Sequence, residues 1–276
     1  MITVEHGDNL AILATVGDEF FDLIYIDPPF NTGRTQRRTR LRTTRDGAGD
    51  RTGFGGKRYT TEKRGSHEFG DTFEDYLAFL EPRLLEARRV LASDGSLFVH
   101  LDAREVHYVK VLLDELFGRA SFMNEIIWAY DYGARTTKRW APKHDTILWY
   151  AKDPDRYTFR QQESDRLPYM APGLVTPEKR ARGKLPTDTW WHTIVSPTGK
   201  EKTGYPTQKP IAILERIVKV HSKPGDRLLD FFAGSGSFGD AADRHGRDVL
   251  LVDSNAAAIR VMRARFRGRE VRFAKG

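Results

Sequence analysis

Short apolar runs alternate along the chain with stretches in which apolar residues recur every three or four positions. The runs fall at 2–4, 22–27, 96–101, 125–130, 146–151, 227–232 and 248–253. Each is brief and bounded by glycine, proline or charge, as expected of strands buried on both faces. Between them the spacing predicts helices over 10–16, 72–91, 103–117, 210–221, 237–245 and 255–266. In the second of these, Phe73, Tyr76, Leu77, Leu80, Leu84, Val90 and Leu91 share a face, Asp71 or Thr72 supplies the cap, and Gly95 lies just beyond the end. In the third, Val106, Val109, Leu112, Leu113 and Leu116 point inward and Gly118 closes the helix. Strand and helix in alternation predict an α/β protein built on a doubly wound sheet.

Two stretches break the pattern. Residues 34–64 hold eleven Lys or Arg against three acids, with five glycines and almost no apolar side chains. Such a segment cannot fold by its own burial. It reads either as a solvated loop or as a mobile basic arm that neutralises phosphates, and its place directly after residue 30 favours the arm. Residues 153–206 carry seven prolines, mixed charge and the run Trp190-Trp191-His192, which suggests a small irregular insertion.

The overall balance sharpens this picture. The formal net charge of +7 is smaller than the +8 held by 34–64 alone, so the rest of the chain sums to about −1. There is no cysteine among the 276 residues, which removes disulfides, thiolate metal sites and catalytic thiols. No apolar run approaches the ~20 residues needed to span a bilayer, and the first residues lack an export signal, so a cytoplasmic protein is expected. His100, His107, His144 and His192 do not fall in ligand spacing, and no metal is expected.

Two motifs carry chemistry. The first is Asp27-Pro28-Pro29-Phe30 at the end of an apolar strand. Two prolines fix an extended backbone that offers acceptors and no N–H donors. Asp27 and the Pro28 carbonyl could each accept one hydrogen of an exocyclic amine, aiming its lone pair at an electrophile while Phe30 stacks on the base. The second motif is Asp230-Phe231-Phe-Ala-Gly234-Ser-Gly236, a strand running into a glycine turn and a helix, with Asp253 closing the next strand. That is a nucleotide-type unit in which the glycines allow close ligand approach and the acid binds ribose. Gly239 falls one position too late for the full dinucleotide fingerprint, so a phosphate-free nucleoside fits better than NAD.

Together with Asn31, Gly7-Asp8 and Thr207-Gln-Lys209-Pro210, these motifs resemble the AdoMet-dependent DNA amino-methyltransferases. Their order resembles the β group, in which the catalytic motif precedes the recognition region and the AdoMet motif comes last. Residues 27–33, Arg83-Leu-Leu-x-Ala-Arg88 and Leu116-Phe-Gly118 are similar to its type III modification relatives. The resemblance implies a Rossmann-like, circularly permuted methyltransferase sheet. It implies a catalytic half over 1–152 with 34–66 as a flexible basic arm, a target-recognition insertion over 153–203, and an AdoMet-binding half over 204–276.

Carried over by position, Asp27, Pro28, Pro29 and Phe30 would grip a flipped base. Asp230, Phe231, Gly234 and Gly236 would form the S-adenosyl-L-methionine turn, with Asp253 and Asn255 beside the ribose. Lys209 would reach the cofactor carboxylate, with Thr207 a second candidate, and Asp8 would lie near the adenine amine. Arg34, Arg37, Arg38, Arg40, Lys57 and Arg58 from the arm, and Arg180, Arg182 and Lys184 from the insertion, would meet DNA. The implied partner is double-stranded DNA; a homodimer, and either a restriction endonuclease partner or an orphan enzyme, are expectations of the family only.

Through its leading aspartate the resemblance implies adenine N6, and cytosine N4 stays open because both amines present the same geometry. The missing cysteine fits direct attack by an amine and excludes cytosine C5, which needs a thiolate adduct. Methylation of RNA or of a protein glutamine and a catalytically silent DNA-binding protein are further alternatives, the first opposed by motif order and the second by the intact motifs.

Overall fold

The computed structural model describes residues 1–31, 36–45, 51–52, 58–69, 73, 75–133, 135–196 and 199–275. In chain order the first half runs β1 (Ile2–His6), α1 (Asn9–Leu13), β2 (Phe21–Ile26), β3 (Gln36–Arg45), β4 (Arg51–Thr52), β5 (Arg58–Phe69), α2 (Tyr76–Val90), β6 (Leu91–Leu101), α3 (Val106–Phe117), β7 (Phe122–Ala129) and β8 (His144–Ala151). The second half adds α4 (Pro177–Arg182), β9 (Thr189–Trp191), α5 (Ile211–His221), β10 (Arg227–Asp230), α6 (Ser237–Arg244), β11 (Asp248–Asp253), α7 (Ala256–Arg265) and β12 (Val271–Lys275).

Nine strands form one sheet in the order β12-β1-β11-β10-β2-β6-β8-β7-β9. From β12 to β6 all neighbours are parallel, β8 is antiparallel to both β6 and β7, and β9 runs parallel to β7. Alternate residues of each strand feed opposite layers, as the strand's two-residue period requires. Leu23 and Tyr25 face a core built from α5, α6 and α7 through Leu214, Ile217, Phe238 and Met262. Ile24 and Ile26 face a second core built from α1, α2 and α3 through Leu13, Leu80, Leu84 and Val109. The doubly wound α/β architecture expected from the apolar pattern is therefore the one observed.

The chain winds away from β2 toward β6 in one direction and from β10 toward β11 in the other. β2 and β10 are nevertheless adjacent. Strand order thus reverses between them, and a crevice opens at their C-terminal ends, where doubly wound sheets bind ligands. Asp27 and Asp230 stand at those two ends.

Three features differ from the sequence reading. The basic stretch, expected to be a flexible arm, contributes β3, β4 and β5 to a separate three-stranded antiparallel sheet. Its register sets Thr43 opposite Thr61, Arg42 opposite Glu62 and Arg37 opposite Glu68. Main-chain ladder hydrogen bonds form such strands without the apolar burial that the composition lacks. Helix α2 begins later than its apolar spacing suggests, because Asp75 accepts the Ala78 N–H at 2.9 Å and caps it there. The strand Val271–Lys275 was not foreseen: its apolar residues are short in run and flanked by charges, and its partner is the N-terminal strand at the far end of the sequence. Among the described residues no helix is long and apolar enough to cross a membrane.

Candidate active site

The crevice is a cavity of about 520 Å³ whose lining includes Asp27, Pro28, Pro29 and Phe30 on one side and Asp230, Phe231, Gly234, Asp253 and Asn255 on the other. Asp8, Thr207 and Lys209 complete the set of expected residues that line it. Two motifs about two hundred residues apart in the chain therefore share one space, because their strands are neighbours.

The prolines end β2 and leave Asp27 at the strand's edge. Lys209 holds that carboxylate through both oxygens, at 2.8 and 2.6 Å. Its ammonium also lies 4.7 Å from the centre of the Phe30 ring. Lys209 thus ties the loop before α5 to the end of β2. With side-chain exposures of 8% for Lys209 and 17% for Asp27, the pair is too shielded for water to compete freely. Each carboxylate oxygen keeps a second lone pair for another donor.

The loop that delivers Lys209 is held from within. Gln208 accepts from the Thr203 N–H and hydroxyl and donates to the Glu201 carbonyl at 2.8 Å, while Glu201 accepts the Ile211 N–H that opens α5. Thr207 has φ +57°, an uncommon conformation for a β-branched residue and a point of stored strain beside the site. On the far side of the tetrad, Asn31 adopts φ +50°. Its side chain donates to Glu105 at 2.8 Å and accepts the Phe73 N–H at 3.1 Å, pinning the exit of the motif to two other segments.

The glycine turn is organised by Asp253. One of its oxygens accepts the Gly234 N–H and the other the Asn255 N–H, both at 2.7 Å. Burial raises this carboxyl above its ordinary range. Asn255 caps α7 through the Ala257 N–H at 2.8 Å. Asp230 accepts the Phe232 N–H, and burial holds its carboxyl well above the usual range, with Asp27 and Asp253 adding to the shift. Gly234 (φ +51°) faces the cavity, where an added Cβ would stand 3.2 Å from Tyr205. Gly236 (φ +73°) stands at the end of the turn, where an added Cβ would lie 2.8 Å from Met262 and 3.0 Å from Phe266. It lets α7 pack against the turn.

Asp8 caps α1, accepting from Ala11, and also pairs with Arg83 at 3.2 Å. Arg83, to which the sequence reading gave no role, donates to Asn9 at 2.7 Å and stacks on Phe79 at 4.0 Å. Asn9 in turn donates to the Phe231 carbonyl. Arg265 was missed as well; it donates to the Ser235 carbonyl at 2.7 Å and to Asp240, bracing the glycine turn from behind. Beneath the tetrad, Tyr25 and His100 are hydrogen bonded at 2.8 Å, and the other His100 nitrogen meets Asp145 at 3.3 Å. The ring of His100 lies 6.0 Å from that of Phe30. These residues sit inside apolar runs or helix faces, where periodicity alone marks them as core.

Of the expected DNA contacts, Arg180 and Arg182 are exposed on α4, and Lys184 is half-buried where its backbone pairs with Leu167. Arg37, Arg38 and Arg40 lie in β3 and Arg58 opens β5. Arg34 and Lys57 lie outside the described residues.

A strand-end carboxylate and a glycine turn that face one another across a switch point describe an enzyme that brings a nucleoside-type ligand against a flat acceptor. Residues 21–264 match the family model described as DNA methylase, the N6/N4 type, and the chain belongs to that family. It is a DNA methyltransferase. It is 28% identical over 259 residues to the type II methyltransferase M.HpaI of Haemophilus parainfluenzae, covering 94% of this chain and 72% of that protein. It is 28% identical over 267 residues to the DNA adenine methyltransferase YhdJ of Escherichia coli K12, covering 94% and 80%. The fold is also that of the cytosine-N4-specific PvuII DNA methyltransferase, with a TM-score of 0.65 at 16% identity over 96% of this chain and 86% of that one.

Proposed function

We propose that the protein methylates the N6 amine of adenine in duplex DNA, using S-adenosyl-L-methionine, on a base turned out of the helix into the crevice. The observation that carries this reading is the shared cavity, in which Asp27 faces the glycine turn across the switch point.

The residues fit such a cofactor. Gly234 leaves a cradle that a Cβ would fill, the carboxylate of Asp253 is already oriented by two N–H donors, and Phe231, Phe232 and Phe79 supply apolar faces for a purine. When bound, the cofactor supplies a methyl group on a positively charged sulfur. The remaining work belongs to the chain. Asp27 accepts one amine hydrogen through the lone pairs that Lys209 leaves free, and the Pro28 carbonyl accepts the other. Phe30 supports the ring face, and the donor-free Pro28-Pro29 backbone presents nothing that competes for the nitrogen lone pair. Holding the amine in line with the methyl group provides much of the acceleration.

Adenine is favoured over cytosine N4 by the aspartate that opens the tetrad and by similarity to a relative named as an adenine methyltransferase. The test is digestion of methylated DNA to nucleosides followed by mass spectrometry. N6-methyladenine is expected; N4-methylcytosine alone would overturn the choice of base. Asp27→Ala should abolish transfer while leaving cofactor binding intact.

A further inference from the structure

The connection between β7 and β8, residues 131–143, stands apart from the groups already assigned. β6 ends at the same edge of the sheet as β2, and Leu101 at that end pairs with Thr146 of β8. Ala129 at the end of β7 pairs with His144. The connection therefore emerges at the edge where Asp27 stands. Tyr130 and Asp145, which bracket it, are hydrogen bonded at 3.1 Å, and Asp145 reaches His100, whose ring lies 6.0 Å from that of Phe30.

Its composition is that of a surface for nucleic acid. It holds Arg135, Lys138, Arg139 and Lys143 against the single acid Asp131. Lys143 is used internally, donating to the carbonyls of Asp131 and Gly133 and closing the base of the connection. Arg135, Lys138 and Arg139 are exposed and have no acidic partner among the described residues. Among them stands Trp140, 97% exposed, with Tyr132 57% exposed on the same connection. One strand over, Trp191 is 69% exposed opposite Ala129. An indole left fully in water forgoes the burial that a Trp ordinarily gains, and unpaired cations around it match a polyanion better than an apolar protein face.

We infer that this connection enters duplex DNA at the target, with Trp140 filling the gap in the stack left by the extruded base and Arg135, Lys138 and Arg139 neutralising the flanking phosphates. The inference rests on the base-extrusion reading above. Extruding a paired base sacrifices stacking and pairing, and a planar apolar wedge restores part of the stack. The contribution of Trp140 should therefore be large for a paired target and small for one that is already unpaired.

The experiment uses the full chain and a synthetic duplex bearing the site mapped by sequencing modified bases in DNA methylated by the wild type. On the paired duplex Trp140→Ala should lose about tenfold or more in kcat/KM. On the same duplex with a mismatch at the target it should come back to within about threefold of the wild type, while Trp140→Phe keeps most activity on both and cofactor affinity is unchanged. Replacing Arg135, Lys138 and Arg139 with alanine should flatten the slope of log affinity against log salt by about 2–3 units. Equal activity of Trp140→Ala and wild type on the paired duplex would overturn the inference, as would an equal loss on both duplexes. A change in self-association by sedimentation, with DNA binding intact, would assign the surface to a second copy of the chain and also overturn it. A wild type that methylates no DNA would instead sink the functional reading itself.

Discussion

Lys209 reaches across 182 residues of sequence to hold both carboxylate oxygens of Asp27, at 2.6 and 2.8 Å. The contact joins the loop before α5 to the end of β2, so the rotamer of Asp27, the aspartate proposed to grip the amine, is set by a residue from the other half of the chain. Positioning of this kind matters because an error of about 1 Å at a reacting group can cost on the order of 100-fold in rate.

Removing that tether should therefore separate stability from catalysis. Lys209→Met is expected to lower kcat by about 100-fold and to destabilise the fold by about 1.5–3 kcal/mol, the range for a hydrogen bond to a charged group. Adding Asp27→Asn should return part of the stability, since it removes the stranded carboxylate, and none of the activity. Urea unfolding and steady-state kinetics on the three variants measure both. A normal kcat in Lys209→Met would show that Asp27 does not depend on it.

Asp230 leads to a prediction about pH. Burial first, then Asp27 and Asp253, raise its carboxyl in the folded protein. A group so raised holds its proton more tightly folded than unfolded. Its contribution is fully present below the unfolded value of about 3.9 and is lost as pH rises through the folded value. Asp230→Asn keeps an oxygen for the Phe232 N–H and removes the titration. The variant should match the wild type in acid and become relatively more stable as pH rises. Thermal unfolding at a series of pH values checks this, and parallel curves for the two proteins would contradict it.

The two turn glycines should fail in different ways. Gly236→Ala places a methyl 2.8 Å from Met262 and 3.0 Å from Phe266 at φ +73°, so those side chains must give way at a strained backbone position. Overpacking of this sort costs about 1–3 kcal/mol. Gly234→Ala intrudes toward Tyr205 within the cavity, at φ +51°. It should weaken cofactor binding more than it lowers stability, to be read by calorimetric titration beside thermal unfolding. Equal effects of the two substitutions on affinity would refute the division.

Deleting 34–64 removes eleven cations and three acids. DNA affinity should fall and its salt dependence flatten, each lost phosphate contact taking about 0.9 from the slope of log affinity against log salt. Cofactor affinity should not change. Fluorescence anisotropy with labelled duplex over a range of salt measures it, and an unaltered slope would return the stretch to a solvated surface.

Much of the molecule was legible before folding. Apolar runs of the right length marked the strands from β1 to β11 outside the two irregular stretches, and the helical spacing marked α1, α2, α3, α5, α6 and α7, because local burial imposes a period on sequence. The end of β2 was legible for a different reason: two prolines after Asp27 cannot continue a strand ladder. The glycine turn and its distant acid followed from the spacing of a strand–turn–helix–strand unit.

What folding decided were the pairings. No local pattern says that β2 lies beside β10, yet that adjacency puts Asp27 and Asp230 at one crevice. The same adjacency turns Lys209 toward Asp27 rather than outward. Gly236 was legible as a turn glycine, whereas only the tertiary structure sets Met262 and Phe266 against it. Arg83, His100 and Arg265 were hidden among core positions, since periodicity reports which face a side chain occupies and says nothing of what it meets there. Sequence by itself determined the elements and the chemistry of the acceptor motif, both governed by interactions within a few residues. Partners across the sheet were settled by tertiary structure alone, because contacts between residues some two hundred apart arise from how layers pack and leave no local trace.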